Sequence, residues 1–283
     1  MIYVLGGGSD EWEDWAKACV TGSGAITSLP GEISTIRAYA FYKHTYFAPT
    51  ALPSSLVSIG SYAFSGCTKL ALTSLPSGIT SIGSYAFQNC SNLALTSLPS
   101  GITSIGAQTF FSCTNLALTS LPSGITSIDA AAFSRCSNLA LTSLPSGITS
   151  IGISTFYMCA KLALTSLPSG ITSIGSYTFS YCDRLALTSL PSGITSISTQ
   201  AFFSCTNLAL TSLPSGLSLI DSYAFCDCIG LTSITFKGTP TSIDASAFYG
   251  CTNLKTIRVP WAEGAVANAP WGATNATITY NYK

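Results

Sequence analysis

From Ile26 onward, apolar and polar positions follow a pattern that is neither one long helix nor one long strand, and that restarts every 23 residues. In residues 95–117, LTSLPSGITSIGAQTFFSCTNLA, Leu95 and Leu98 flank Thr96-Ser97, and Ile102 and Ile105 flank Thr103-Ser104. Pro99-Ser100-Gly101 lies between the two segments and supplies the backbone dihedrals of a tight reversal. Thr and Ile favour extended backbone, so the pattern predicts one short strand around Leu93 to Leu98 and a second around Ile102 to Ile105. Next comes a column of Gly, Asp or Ser, occupied by Gly60, Gly83, Gly106, Asp129, Gly152, Gly175, Ser198, Asp221 and Asp244. These are residue types that cap helix N-termini. The six positions that follow, Ser84 to Asn89 in one coil, are therefore predicted to form a single helical or 3₁₀ turn, with Ala86, Phe87 and Cys90 inward and Tyr85, Gln88 and Asn89 outward.

The columns hold their register along most of the chain. Phenylalanine recurs every 23 residues from Phe41 to Phe248, and cysteine does so from Cys67 to Cys251. A fixed period of this size with one apolar set per repeat is the signature of a solenoid, in which each coil buries its apolar side against its neighbours. Ten coils run from Ile26 to Lys255, followed by an opening half-coil at Thr256 to Pro260. The domain plan is a capping segment over 1–25, a solenoid over 26–258 and a second capping segment over 259–283, since a bare end would expose apolar surface and unpaired strand edges. Asp10 and Glu13 form a capping-box-like start, and Trp12, Trp15, Ala16 and Cys19 recur at helical spacing, so a short helix is expected there. At the other end Trp261 and Trp271 are expected as lids, and Ala276 to Tyr282 alternates as a strand.

Composition narrows the function classes. Charged residues are 8% of the chain and the formal net charge is zero, so there is no electrostatic footprint for DNA, RNA or an anionic membrane. Mean hydropathy is +0.45, yet Ser, Thr, Gly or Pro interrupts every apolar run before about 18 residues, which argues against membrane insertion. The opening MIYVLGGGSDEWEDW has no basic stretch followed by a long apolar one, so no secretory signal is visible. Gly6-Gly7-Gly8 lacks the spacing of a nucleotide fingerprint and reads as a flexible joint.

Nine of the eleven cysteines occupy one column. Equivalent residues of stacked coils lie about 4.8 Å apart with parallel side chains, whereas a disulfide needs Cβ atoms at about 3.8 Å pointing at each other. A ladder of buried free thiols is expected, leaving Cys19 and Cys226 as the candidates for a bridge or a reactive thiol. His44, the only histidine, stands where other coils have cysteine and reads as a structural replacement rather than a general base. No C-x-x-C occurs, and Asp221 and Asp244, which could share a cation, are explained by capping. No metal, cofactor or catalytic residue is expected.

Leu-x-x-Ile-x-Phe at Leu231 to Phe236, Thr-Ser-Ile-Asp at Thr241 to Asp244, Ala-Phe-x-x-Cys at Ala247 to Cys251 and Asn253-Leu254 resemble the BspA-like, or Treponema pallidum type, leucine-rich repeats. The resemblance covers about four fifths of the chain. Coils three to eight differ from it in having Leu-Ala-Leu-Thr-Ser-Leu in place of Leu-x-x-Ile-x-Ile. The tail from Val259 to Tyr282 looks like the C-terminal ends of repeat proteins from gut bacteria and their phages. The resemblance implies an α/β solenoid of the leucine-rich-repeat type, extracellular or on the cell surface, and adhesion to host proteins or glycans. A virion-associated phage tail or fibre component is the other role it implies. It transfers no catalytic residue, and a monomer is expected.

Surface is what remains for recognition. The first eleven positions of coils three to eight are identical, while the outward positions of the turn vary: Tyr85, Gln88, Phe111, Arg135, Tyr157, Met158, Tyr177, Tyr181 and Phe203. Exposed Tyr, Phe, Arg and Met are enriched in binding patches, so this convex stripe is one candidate site. Drift of unconstrained solvent-facing positions is the competing explanation. A second candidate is the ladder Thr73, Thr96, Thr119, Thr142, Thr165, Thr188 and Thr211, a repetitive hydroxyl surface suited to a repetitive ligand or simply to keeping a sheet face soluble.

Overall fold

The computed structural model describes residues 3–5 and 26–283, which fall into two compact units, Met1–Ala140 and Leu141–Lys283. The expected helix over Asp10 to Cys19 lies outside the described residues. Each unit is a parallel-strand solenoid. The first contains β1 (Tyr3–Leu5), β2 (Ile33–Ile36), β3 (Ser58–Ile59), β4 (Ser81–Ile82), β5 (Ser104–Ile105) and β6 (Ser127–Ile128). Strands β1-β2-β3-β4 form one sheet, and β5 pairs with β6. The second contains β7 (Ser150–Ile151), β8 (Ser173–Ile174), β9 (Ser196–Ile197), β10 (Ser212–Leu213), β11 (Leu219–Ile220), β12 (Ser233–Phe236), β13 (Ser242–Ile243), β14 (Thr256–Arg258) and β15 (Thr277–Thr279). Its sheets run β13-β11-β9-β8 and β10-β12-β14-β15. Pairing repeats the sequence period, with Ser58 opposite Ser81, Ser104 opposite Ser127 and Leu219 opposite Ser196.

The strand expected around Leu93 to Leu98 does not form, whereas the one at Ile102 to Ile105 does, as β5. Leu93 and Leu95 are fully buried, but the next buried side chain is Leu98, three residues on. A strand alternates faces every residue, so the chain bends at Thr96-Ser97 to turn both leucines inward. Pairing between coils survives the bend, since the Ala94 amide donates to the Leu72 carbonyl at 3.0 Å and that of Thr96 to Thr73 at 3.2 Å. Where a spacing of two continues the strand returns: in β12, Ile234 and Phe236 are buried and Ser233 and Thr235 are half-buried.

The expected helical turn is also replaced. Alternate amides close turns within the coil, Ala86 to the Gly83 carbonyl at 3.2 Å, Gln88 to Tyr85 at 3.1 Å and Cys90 to Phe87 at 3.1 Å. The amides between them leave the coil, Tyr85 donating to Ala107 at 2.9 Å, Phe87 to Thr109 at 2.9 Å and Asn89 to Phe111 at 2.8 Å. A helix would direct all of these amides along its own axis. Of the three residues whose amides go to the next coil, Tyr85 and Asn89 stand at φ +62° and +58°. The same two columns recur at positive φ from Tyr39 to Tyr223 and from Lys43 to Gly250, at +52° to +63° for the non-glycine residues.

No helix follows the Gly/Asp/Ser column, so its residues are not N-caps. A Cβ at Gly60 would lie 2.4 Å from the Ala38 nitrogen and one at Gly83 2.5 Å from the Ser61 nitrogen, so glycine there permits close approach of the preceding coil. Asp244 Oδ1 accepts the Ser246 amide at 2.9 Å and its hydroxyl, an Asx-type turn.

Phe41, Phe64, Phe87, Phe110 and Phe133 in the first unit, and Phe156, Phe179, Phe202, Phe225 and Phe248 in the second, are all buried. Measured neighbours stack nearly parallel, with ring centroids 5.5 Å apart for Phe110–Phe133 and 5.1 Å for Phe225–Phe248. Beside this spine eight of the column's thiols, those of Cys67, Cys90, Cys113, Cys136, Cys182, Cys205, Cys228 and Cys251, donate to the phenylalanine carbonyl of the preceding coil, as Cys113 Sγ to Phe87 at 3.0 Å and Cys205 Sγ to Phe179 at 3.0 Å. Ten cysteines are free and buried, Cys226 among them at 3% exposure; Cys19 lies outside the described residues. In the second unit Trp271 is fully buried, donates from Nε1 to the Ala267 carbonyl at 2.7 Å, and offers its own carbonyl to the Phe248 amide at 2.8 Å.

Two outcomes test this packing. Phe202→Ala should cost about 3–5 kcal/mol in urea denaturation, the price of a core cavity; a near-neutral result would contradict the stacked spine. Burial pushes the Cys67 and Cys251 thiols from 9.0 up to about 12, and Cys113, Cys182 and Cys228 are also raised by burial and by neighbouring thiols. A raised thiol contributes its full share of stability below the unfolded value and loses it as pH climbs through the folded one. Unfolding free energy should therefore fall as pH rises from about 9 toward about 12, and Cys113→Ala should flatten that slope when denaturation is followed across the range.

Candidate functional site

The turn side of each coil presents three outward columns on a backbone tied to the next coil, and the nine candidate residues occupy them. In the first unit Tyr85, Gln88 and Phe111 are half-buried and Arg135 is exposed. Tyr85 stacks on Tyr62 with centroids 4.4 Å apart. Gln88 accepts the Ser65 hydroxyl at 3.1 Å and donates to Gln108 Oε1 at 2.8 Å, a polar ladder across three coils. The Arg135 guanidinium lies 5.9 Å from the Phe111 ring centre.

In the second unit the candidates converge. Tyr157 stands edge-on to Tyr177 and Tyr181, at 6.4 and 5.8 Å, and Tyr181 leans on Phe203 at 5.2 Å. Tyr177, Tyr181 and Met158 are each 38% exposed. Ile153, on the same coil as Tyr157 and 57% exposed, was not among the candidates. Sequence reasoning also missed Tyr39, Tyr42 and Tyr62. The repetition of tyrosine at 39, 62 and 85 was the available signal.

Variation in these columns is not free of constraint. Two of the three columns have positive φ, where a β-branched side chain collides with its own backbone. From Tyr39 to Tyr223 and from Lys43 to Gly250 they hold Tyr, Gln, Ala, Ser, Lys, Gly, Asn, Arg, Met and Asp, never Val, Ile or Thr. The adjoining columns do hold β-branched residues, as at Ile153, Thr155, Thr178 and Thr199. Sterics thus select the residue types, and the choice among those types is what differs from coil to coil.

The hydroxyl ladders divide by their bonding. Thr126 and Thr195 hydroxyls donate to the carbonyls of Thr103 and Thr172 in the preceding coil, at 3.5 and 3.2 Å. Thr73, Thr96 and Thr119 in the first unit, and Thr142, Thr165, Thr188 and Thr211 in the second, are exposed to solvent.

His44 stands in the cysteine column with its ring edge-on to Phe47 at 6.4 Å, and its Nδ1 has no hydrogen-bond partner among the described residues. Among the described residues no three His, Cys, Asp or Glu side chains are grouped to hold a metal, and no helix is long and apolar enough to cross a membrane.

A family model described as BspA type leucine rich repeat region matches residues 34–163 and 132–255 in 6 copies. No curated protein matches the chain. Among solved structures, a leucine-rich repeat protein from Bacteroides ovatus is similar at 26% identity and TM-score 0.56, over 80% of this chain and 64% of that one. This chain thus spans less than two thirds of that protein's length. A leucine rich cell surface protein from Faecalibacterium prausnitzii is similar at 26% identity and TM-score 0.50, over 91% and 88% of the two chains. The Treponema pallidum leucine-rich repeat protein shares 26% identity at TM-score 0.44, over 75% and 86%.

The steric rule for the turn is testable at Ser204, φ +54°. Ser204→Val should lower stability by about 1–2 kcal/mol, while Ser204→Gly should stay within about 1 kcal/mol of the parent, because relief of the strained φ is offset by unfolded-state entropy. Equal thermal midpoints for the two variants would contradict the left-handed turn.

Proposed function

We propose that this protein, which belongs to the BspA-type leucine-rich repeat family, is a non-enzymatic binding scaffold of a bacterial cell surface that recognises a protein through the aromatic cluster of its second unit. The contiguity of that cluster carries the reading. Tyr157, Tyr177, Tyr181 and Phe203 touch across three successive coils, and the coil of Tyr157 also exposes Met158 and Ile153. Aromatic and methionine side chains are the types enriched at the centres of interfaces, and contiguous exposed apolar surface on a soluble fold marks an interaction site. Each of these coils is pinned by amide bonds to its neighbour, as between Tyr181 and Phe203 at 2.8 Å. Little backbone ordering is therefore needed on binding, which favours affinity.

Placement at the surface is supported by the similar Faecalibacterium prausnitzii protein, which is described as a cell surface protein. A non-enzymatic role fits a family of repeat scaffolds and a chain whose single histidine packs against phenylalanine.

An array of purified extracellular host proteins, probed with the full chain, should yield at least one protein bound by the parent. The triple variant Tyr157→Ser, Tyr181→Ser, Phe203→Ser should bind it at least about thirtyfold more weakly, the loss of one hot spot of about 2 kcal/mol. Unchanged capture with an unchanged thermal midpoint would remove the cluster from the interface, and no captured protein would overturn the scaffold reading.

A further inference from the structure

The first unit carries a different aromatic group. Tyr39, Tyr62 and Tyr85 stack ring on ring, with centroids 4.8 and 4.4 Å apart and planes within 6° and 5° of parallel. Tyr42 stands edge-on to Tyr39 and Tyr62 at 5.5 and 6.2 Å. Tyr39 and Tyr42 are 56% and 43% exposed. The facing sides of the three rings cover one another, which leaves ring edges along the stack, one per coil step. Desolvation first, and then Tyr85 and Tyr39, raise the Tyr62 phenol above its ordinary pKa, and its hydroxyl is hydrogen-bonded with that of Tyr85.

Two cations of the first unit rest on tyrosine rings, one of them on Tyr42 of this group. Lys43 Nζ lies 5.0 Å from the Tyr42 ring centre, and Lys69 Nζ lies 4.8 Å from that of Tyr46, which is 53% exposed. Both ammonium groups rest on aromatic faces, whose quadrupole attracts a cation. From Ile26 to Ile128 the chain holds Arg37, Lys43 and Lys69 against a single acid, Glu32. The excess is local to that stretch, since the first unit also holds Asp10, Glu11, Glu13, Asp14 and Asp129.

We propose that this face binds an anionic polysaccharide, a glycan carrying sulfate or carboxylate groups along its length. The lysines meet the anionic groups, and the row of phenol hydroxyls meets the sugar hydroxyls. A peptide partner would need a pocket for an anchoring side chain, whereas the stack offers edges and hydroxyls in a row. Several weak contacts repeated at each coil step add up along a polymer in a way they do not for a short ligand. The site goes beyond the protein-recognition reading and shares no residue with the second unit's cluster, so either fails without the other.

Heparin serves as the probe, with dextran as the neutral control and polyglutamate as the acidic peptide. The full chain should bind heparin in preference to both, and the affinity should fall steeply between about 50 and about 200 mM salt, as expected when cations displace the counterions of a polyanion. Lys43→Ala with Lys69→Ala should weaken heparin binding at least tenfold at an unchanged thermal midpoint. Tyr39→Phe with Tyr62→Phe, which keeps the rings, should weaken it severalfold. Absence of heparin binding at low salt, or binding indifferent to the two lysines, would overturn the proposal. Polyglutamate bound as tightly as heparin would overturn the glycan assignment in favour of an acidic peptide.

Discussion

Amide-to-carbonyl bonding from one coil to the next is the interaction on which everything else in this protein rests. It operates on the strands, as in the pairing of Ser81 with Ser58, on the bent Leu-Thr-Ser-Leu segment, as in Ala94 to Leu72, and on the turn, as in Phe87 to Thr109. A backbone paired on all three sides holds successive coils one strand spacing apart, and that spacing sets the rest. It brings the phenylalanine rings within 5.1–5.6 Å of their neighbours. It brings each thiol within reach of a carbonyl in the preceding coil, as with Cys90 and Phe64 at 3.0 Å.

The choice of cysteine follows from that last contact. The Phe87 carbonyl already accepts the Cys90 amide, and the Cys113 thiol occupies its remaining acceptor capacity. Cysteine is small, apolar enough to be buried at little cost, and still a weak donor. Alanine would lose the donor, and serine would bring a hydroxyl that is costlier to bury. The column is a packing and hydrogen-bonding device, and burial holds its thiols in the unreactive protonated form.

The same bonding shapes the outward face of the turn. Two outward columns whose amides bond to the next coil adopt the left-handed conformation, and the residue types they accept are limited before any ligand is considered. Within that limit the two units differ in what accompanies their aromatic residues. Tyr157, Tyr181 and Phe203 contact one another, with Met158 and Ile153 exposed on the coil of Tyr157, whereas Tyr39, Tyr42 and Tyr62 contact one another, with Lys43 on Tyr42 and Lys69 on Tyr46. One frame thus carries an apolar patch in one unit and a cationic, hydroxyl-rich patch in the other.

The period, the solenoid and the inward or outward direction of most side chains were legible in the amino-acid sequence, because they depend only on which positions repeat as apolar. Ala86, Phe87 and Cys90 are buried while Asn89 faces solvent, and Cys90 and Cys113 are unpaired thiols, as the columns required. The turn conformation at Tyr85 and Asn89, the site of the strand at Ser104–Ile105 and the meeting of Tyr157 with Tyr181 were settled by the tertiary structure. Each depends on a partner one coil away. The positive φ belongs to a turn that alternates bonds within its coil and bonds to the next, the bend at Thr96-Ser97 comes from two leucines that must reach the same core, and the ring contacts from how side chains lean across the gap between coils. Local propensity holds no record of a neighbour 23 residues distant, so these features exist only once the coils are stacked.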